Sequence, residues 1–252
     1  MNFASDNTGP AHPKVMEALA RANAGYAMPY GNDPLSAEAA EAVRTLFEAP
    51  EAAVHLVATG TAANSLALGV MTNPWDAVFC HRVAHVEEDE CGAPEFFTGG
   101  AKLTLIDGAD GKMTPEALAR AIEHTGDKGV HGVQRGPVTI TQITEVGTAY
   151  TLDEIRALTD VAKSFGLKTH LDGARFANAC AALGCHPGRD DVEGRDRRGQ
   201  LRRHQERLPR RRGGRPVRPR AVLGIPAAPQ TRRASVVETP LPRRSDAGLC
   251  HR

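Results

Sequence analysis

The segment Lys168-Thr169-His170-Leu171-Asp172-Gly173-Ala174-Arg175-Phe176 sets a carboxylate and a guanidinium at the end of a half-apolar extended run that breaks on Gly173. Ligands of open α/β sheets sit at the carboxyl ends of strands, where Asp172 and Arg175 would then stand. A carboxylate there can hold a proton on a pyridine nitrogen and make that ring an electron sink. A solvated strand end with an incidental ion pair fits the same nine residues. A second pattern, Thr59-Gly60-Thr61-Ala62-Ala63-Asn64, follows the apolar run Ala53 to Ala58. Small residues at such a junction let backbone approach a ligand, and the first-turn N–H groups and helix dipole favour an anion such as phosphate. Thr or Gly before a helix is also ordinary capping. A third, His81 and His85 with Glu87, Glu88, Asp89, Glu90 and Cys91 close by, offers metal-ligand types. The zinc-protease spacing needs Glu directly after the first His, and Arg82 stands there, so no metal is assigned. His85 is left as a surface or ring-stacking residue.

Strands and helices must alternate to position these groups. Apolar periodicity predicts helices from Pro13 to Ala24, near Ser36 to Glu48, from Thr59 to about Met71, from Thr114-Pro115, and from Thr151 to Gly166. The last carries a capping box, Thr151 with Glu154. Strands are expected at Ala53–Ala58 (buried), Ala77–Cys80, Lys102–Asp107, Val138–Ile143 and up to Asp172. The alternation argues a mostly parallel sheet covered on both faces, a three-layer αβα sandwich.

Composition divides the chain of 252 residues in two. Up to Gly188 there are 13 Lys+Arg against 23 Asp+Glu, a net of −10; from Arg189 there are 18 Arg, no Lys and 7 acids, a net of +11. Five cysteines without framework spacing suit reduced thiols, no basic-then-apolar start marks a signal peptide, and no apolar run spans a bilayer. A cytoplasmic protein without a membrane partner is the expectation.

Taken together, Ser5-Asp6-Asn7-Thr8-Gly9-Pro10, Tyr30-Gly31-Asn32-Asp33-Pro34, the Thr59 to Asn64 segment, His85 with Glu90, Thr144-Glu145 and His170 to Arg175 resemble the low-specificity L-threonine aldolases. The resemblance covers Asn2 to about Pro187. It implies the aspartate-aminotransferase-like fold type I and the large domain of a transferase-like enzyme dependent on pyridoxal 5′-phosphate (PLP). It further implies that backbone at Gly60, Thr61 and Ala62 holds the cofactor phosphate. His85 would stack on the pyridine ring and assist proton transfer, Asp172 would pair with the ring nitrogen, and Arg175 would lie beside it. Ser5, Asn7 and Tyr30 would lie near a small β-hydroxy amino acid. The reaction implied is cleavage of L-threonine or L-allo-threonine to glycine and acetaldehyde, in a homodimer or homotetramer.

The family holds its cofactor on a lysine beyond the Asp-Gly-Ala-Arg segment, and this chain has none after Lys168. Lys168 lies four residues before Asp172, roughly 13 Å back along the strand. The composition from Arg189 onward is that of a GC-rich gene read out of frame. When Asp190 to Leu208 are written in suitable codons and read from the second base, they give Thr-Thr-Trp-Lys-Ala-Gly-Ile-Asp-Ala-Val-Ser-Phe-Gly-Gly-Thr-Lys-Asn-Gly-Cys. The lysine codon falls across Gln205 and Glu206. Residues 1–187 are therefore expected to be an incomplete PLP-binding large domain, and 188–252 a disordered, frameshifted tail that leaves the chain inactive. The alternatives are another β-eliminating PLP lyase of the same fold, or a remnant of it whose arginine-rich tail binds nucleic acid; with a frameshift, no nucleic-acid partner is expected.

Overall fold

A computed structural model of the chain describes residues 9–188 and, as backbone, the two later strands Val222–Ile225 and Arg233–Val236. The amino-terminal part is helical: α1 (Pro13–Ala22) and α2 (Pro34–Leu46) each begin on proline behind a capping side chain, His12 and Asp33 respectively. Then come β1 (Val54–Val57), α3 (Gly60–Met71), β2 (Asp76–His81), α4 (His85–Glu88), α5 (Ala93–Phe97) and β3 (Lys102–Ile106). After them follow α6 (Pro115–His124), β4 (Gln134–Thr141), α7 (Leu152–Ser164), β5 (Thr169–Asp172) and α8 (Phe176–Leu183). The later strands are β6 (Val222–Ile225) and β7 (Arg233–Val236).

The seven strands form one sheet in the order β1-β7-β6-β5-β4-β2-β3. Pairing is parallel from β6 through β5, β4 and β2 to β3, and antiparallel on both sides of β7. Alternation along the strands splits the apolar residues between two layers. Phe79, Val138, Ile140 and Leu171 pack with Leu118 and Ile122 of α6, Ile155, Leu158 and Ala162 of α7, and Phe176 and Cys180 of α8. On the opposite face Val78, Cys80 and Leu103 meet Ala67, Leu68 and Met71 of α3. The expected three-layer αβα sandwich with a mostly parallel sheet is the fold observed.

Local signals explain the boundaries. The Thr151 and Glu154 capping box forms in both directions, and Thr114 caps α6 ahead of Pro115. Pro137 stands inside β4, where a ladder N–H is missing, and the β2–β4 pairing shifts register there. A Cβ on neighbouring Gly136 would run into the Ala77 carbonyl, so only glycine lets the two backbones approach.

Three expectations need correction. The segment Ala53–Ala58 is not a buried strand: Leu56 is 40 % exposed and His55 is exposed, because β1 is the sheet's edge. The short helices α4 and α5 and the helix α8 lie where no helix was expected. Residues 188–252 were expected to supply no strand, yet Val222–Ile225 pairs in parallel with β5 and Arg233–Val236 bridges β6 to β1. These segments are short runs in the arginine-rich sequence carrying β-branched or other apolar residues, as a slot between two strands requires. The remaining expectation of disorder and the codons of Gln205 and Glu206 lie outside the described residues. Among the described residues no helix is long and apolar enough to cross a membrane.

Candidate functional site

The carboxyl ends of β2, β4 and β5 and the first turns of α3 converge on one buried polar group. Asp172 ends β5 and is 4 % exposed. Its Oδ1 accepts the Ala174 N–H at 3.1 Å, across the turn that Gly173 opens, and its Oδ2 accepts from Asn64 Nδ2 at 3.0 Å. Two residues earlier on the same face of the strand, His170 is buried with Nδ1 2.6 Å from Thr139 Oγ1. Burial pushes the His170 imidazole down to about 4, against the opposing pull of Asp172, so it is neutral at pH 7. Asp172 is thus held by two hydrogen bonds, one from the turn after β5 and one from α3, the condition for an acid that must keep one direction.

Asn64 lies on the second turn of α3, and its Nδ2 also donates to Glu90 Oε1 at 2.9 Å. Glu90 is 2 % exposed. Its Oε1 lies 4.0 Å from Nε2 of His85, the residue that opens α4. His85 Nδ1 is 3.6 Å from both Asp89 Oδ2 and Glu145 Oε1, beyond hydrogen-bond length, and this buried atom makes no hydrogen bond among the described residues. The imidazole is therefore surrounded by carboxylates without being tied to one. Arg175, which precedes α8, reaches Glu145 Oε1 with Nη1 at 3.5 Å.

Asp172, His85 and Arg175 are thus joined through Asn64, Glu90 and Glu145. Gly60, Thr61 and Ala62 form the first turn of α3, half-buried, one helical turn or less from Asn64. Thr59 Oγ1 accepts the Ala62 N–H at 3.1 Å, so Gly60 and Thr61 carry the first-turn amides left for an anion. Tyr30 is not part of the group. It is 97 % exposed, in a left-handed turn between α1 and α2 with φ 62°. Ser5 and Asn7 lie outside the described residues.

His81 has a structural role: Nδ1 accepts the Val83 N–H at 3.2 Å and Nε2 lies 3.1 Å from the Gly108 carbonyl oxygen. A small cleft beside the group is lined by His81, Thr139, Thr141, Glu145 and Tyr150, among others. His85, Asp89 and Glu145 place ligand atoms within 4.8 Å of one another, a spacing that a divalent cation could use. The sequence reading gave no role to Asn64, Glu90 or Glu145. The available signal was Asn64 itself, a poor helix former inside a run of Ala, Ser and Leu.

A buried carboxylate at a strand end, an imidazole, a guanidinium and a helix amino terminus can together hold a phosphorylated, protonatable heterocycle. Comparison with known proteins agrees with this chemistry. Residues 2–189 match the family model described as beta-eliminating lyase. A low specificity L-threonine aldolase of Pseudomonas aeruginosa is 46 % identical over 185 residues, covering 73 % of this chain and 53 % of that protein. One from a Pseudomonas species is 45 % identical over 185 residues, with the same coverage. The chain spans about half the length of the curated relatives it matches. Among solved structures, a Leishmania major threonine aldolase superposes with a TM-score of 0.76 at 27 % identity, over 93 % of this chain and 61 % of that one.

Proposed function

The chain belongs to the beta-eliminating lyase family, and from that premise we propose that it descends from a PLP-dependent threonine aldolase acting on L-threonine or L-allo-threonine. The observation that carries the reading is the braced Asp172 at the end of β5, linked through Asn64 to the acid beside His85. The site residues fit the cofactor: each Asp172 oxygen already accepts one hydrogen bond and retains a lone pair for a ring N–H. Bound PLP supplies an electron sink for the carbanion left when Cα–Cβ breaks.

The chain's own residues then have distinct tasks. Gly60 and Thr61 backbone amides would hold the phosphate, Asp172 would keep the ring nitrogen protonated, and His85 would lie against the ring. His85, whose Nδ1 makes no hydrogen bond among the described residues, would take or return a proton at the substrate hydroxyl. Arg175 with Glu145 closes the side of the site. Among the described residues, neither Lys168 nor Lys112 stands where it could replace the cofactor lysine. Lys168 is exposed at the amino end of β5, opposite Asp172, and Lys112 Nζ is held by Glu154 at 3.1 Å. We therefore infer that this chain is inactive and that the residues after about Gly188 are a shifted reading of the aldolase gene. Residues 1–187 would be the large domain of an enzyme that is a cytoplasmic homodimer or homotetramer in its intact form.

The test compares this chain with one in which the adjacent frame is restored after Gly188. Acetaldehyde release from L-threonine and borohydride attachment of cofactor are expected from the restored chain and absent from the present one. Release by the present chain would overturn its inactivity; none from a folded restored chain would overturn the aldolase reading. The family's description also favours a second reading, elimination at Cβ. Pyruvate from L-serine, in place of glycine from L-threonine, would identify it.

A further inference from the structure

Asn64 is 3 % exposed and gives both hydrogens of its side-chain nitrogen to carboxylates on other elements, Asp172 at 3.0 Å and Glu90 at 2.9 Å. An asparagine inside a helix is worse for the helix than alanine, and its usual recourse is local backbone. Here the donor serves two acids remote in sequence, one on β5 and one in the segment after α4. With Ala174 on Oδ1 and Asn64 on Oδ2, the Asp172 carboxylate cannot turn about its Cβ–Cγ bond without breaking a hydrogen bond. The second Asn64 hydrogen sets the Glu90 oxygen that stands 4.0 Å from His85 Nε2.

We propose that Asn64 is a positioning residue: it aims Asp172 at the cofactor's ring nitrogen and, through the same nitrogen atom, fixes Glu90 beneath His85. This rests on the PLP-site reading above. The role differs from packing, because it acts only on ligands that carry a ring nitrogen. Without Asn64, the two buried carboxylates would lose the donor they share, and Asp172, left with the Ala174 N–H on Oδ1 alone, could turn Oδ2 away from the ring.

The test uses the full 252-residue chain and two probes that need no lysine, pyridoxamine 5′-phosphate and its analogue with CH in place of the ring nitrogen. Binding is followed by calorimetry or probe fluorescence. The unaltered chain is expected to prefer the nitrogen-containing probe. Asn64→Ala, or Asn64→Ser if the alanine variant does not fold, should weaken that probe about tenfold or more and leave the CH analogue unchanged. In an Asp172→Ala background the Asn64 substitution should change neither affinity. Equal losses for both probes, or a further loss without Asp172, would overturn the role of Asn64 while leaving the cofactor site standing. If the unaltered chain bound neither probe, the cofactor reading would fall and the proposal with it.

Discussion

Two amphipathic helices of this chain meet opposite fates. On α7, Ile155, Leu158, Thr159 and Ala162 are buried against the sheet. On α1 no residue is buried, and Met16 and Leu19 are 56 % and 44 % exposed. The contrast extends to their surroundings. The β2, β4 and β5 region carries two apolar layers and Asp172 in its polar cluster, whereas residues 9–48 leave Tyr26, Met28, Tyr30 and Leu35 more than half exposed. An apolar stripe states that a helix needs a partner surface; it does not state that the surface is present. The proposed site divides along the same line, with Asp172, Asn64 and His85 in the packed region and Tyr30 in the uncovered arm.

The comparison breaks first at its strong side. Leu158→Ala removes a fully buried side chain of α7 and should cost about 2–5 kcal/mol, seen as a lower urea midpoint. A loss below 1 kcal/mol would mean that this layer is as loose as the arm. Acid is the second test. The neutral His170 is depressed to about 4 in the folded chain, so an unfolded chain binds its proton first as pH falls. Its contribution to stability is present above about 6.5 and is lost between there and about 4, at up to about 1.4 kcal/mol per pH unit. His170→Gln should flatten that part of a pH series of denaturant melts.

Smaller effects sharpen the contrast. Thr151→Ala removes the α7 cap and should cost about 1 kcal/mol by the same melts. Leu19→Ala on α1 should stay within about 0.5 kcal/mol, and a larger loss would show that the arm is covered in solution. Thiol chemistry requires no unfolding at all. Among the described cysteines, exposed Cys91 should take up iodoacetamide first, while burial pushes Cys80 and Cys180 up to about 12 and protects them. Peptide mass mapping of the alkylated chain would report the order.

Much of the fold was written locally. Thr114 before Pro115, Thr151 with Glu154, and the turn at Gly173 act within four residues, so their spacing alone declares them. The His170 to Arg175 motif declared the strand end and its acid for the same reason. By contrast, α8 follows Gly173 so closely that the turn masked it, and the sequence of β1 looks as apolar as a buried strand. Its exposure follows from its edge position, which is a matter of strand order.

The sequence by itself determined the alternating elements, the two-faced sheet, and an acid, an imidazole and a guanidinium able to serve a pyridine cofactor. It also determined that the 252 residues hold no lysine beyond Lys168. Only the tertiary structure decided that Asn64, 108 residues before Asp172, donates to it and to Glu90 at once. It also decided that the apolar face of α1 lies open and that Val222–Ile225 takes the place beside β5. The physical reason is range. Caps, turns and periodicity act between neighbours in the chain, while burial and hydrogen bonds between remote side chains depend on which surfaces the packed sheet brings together.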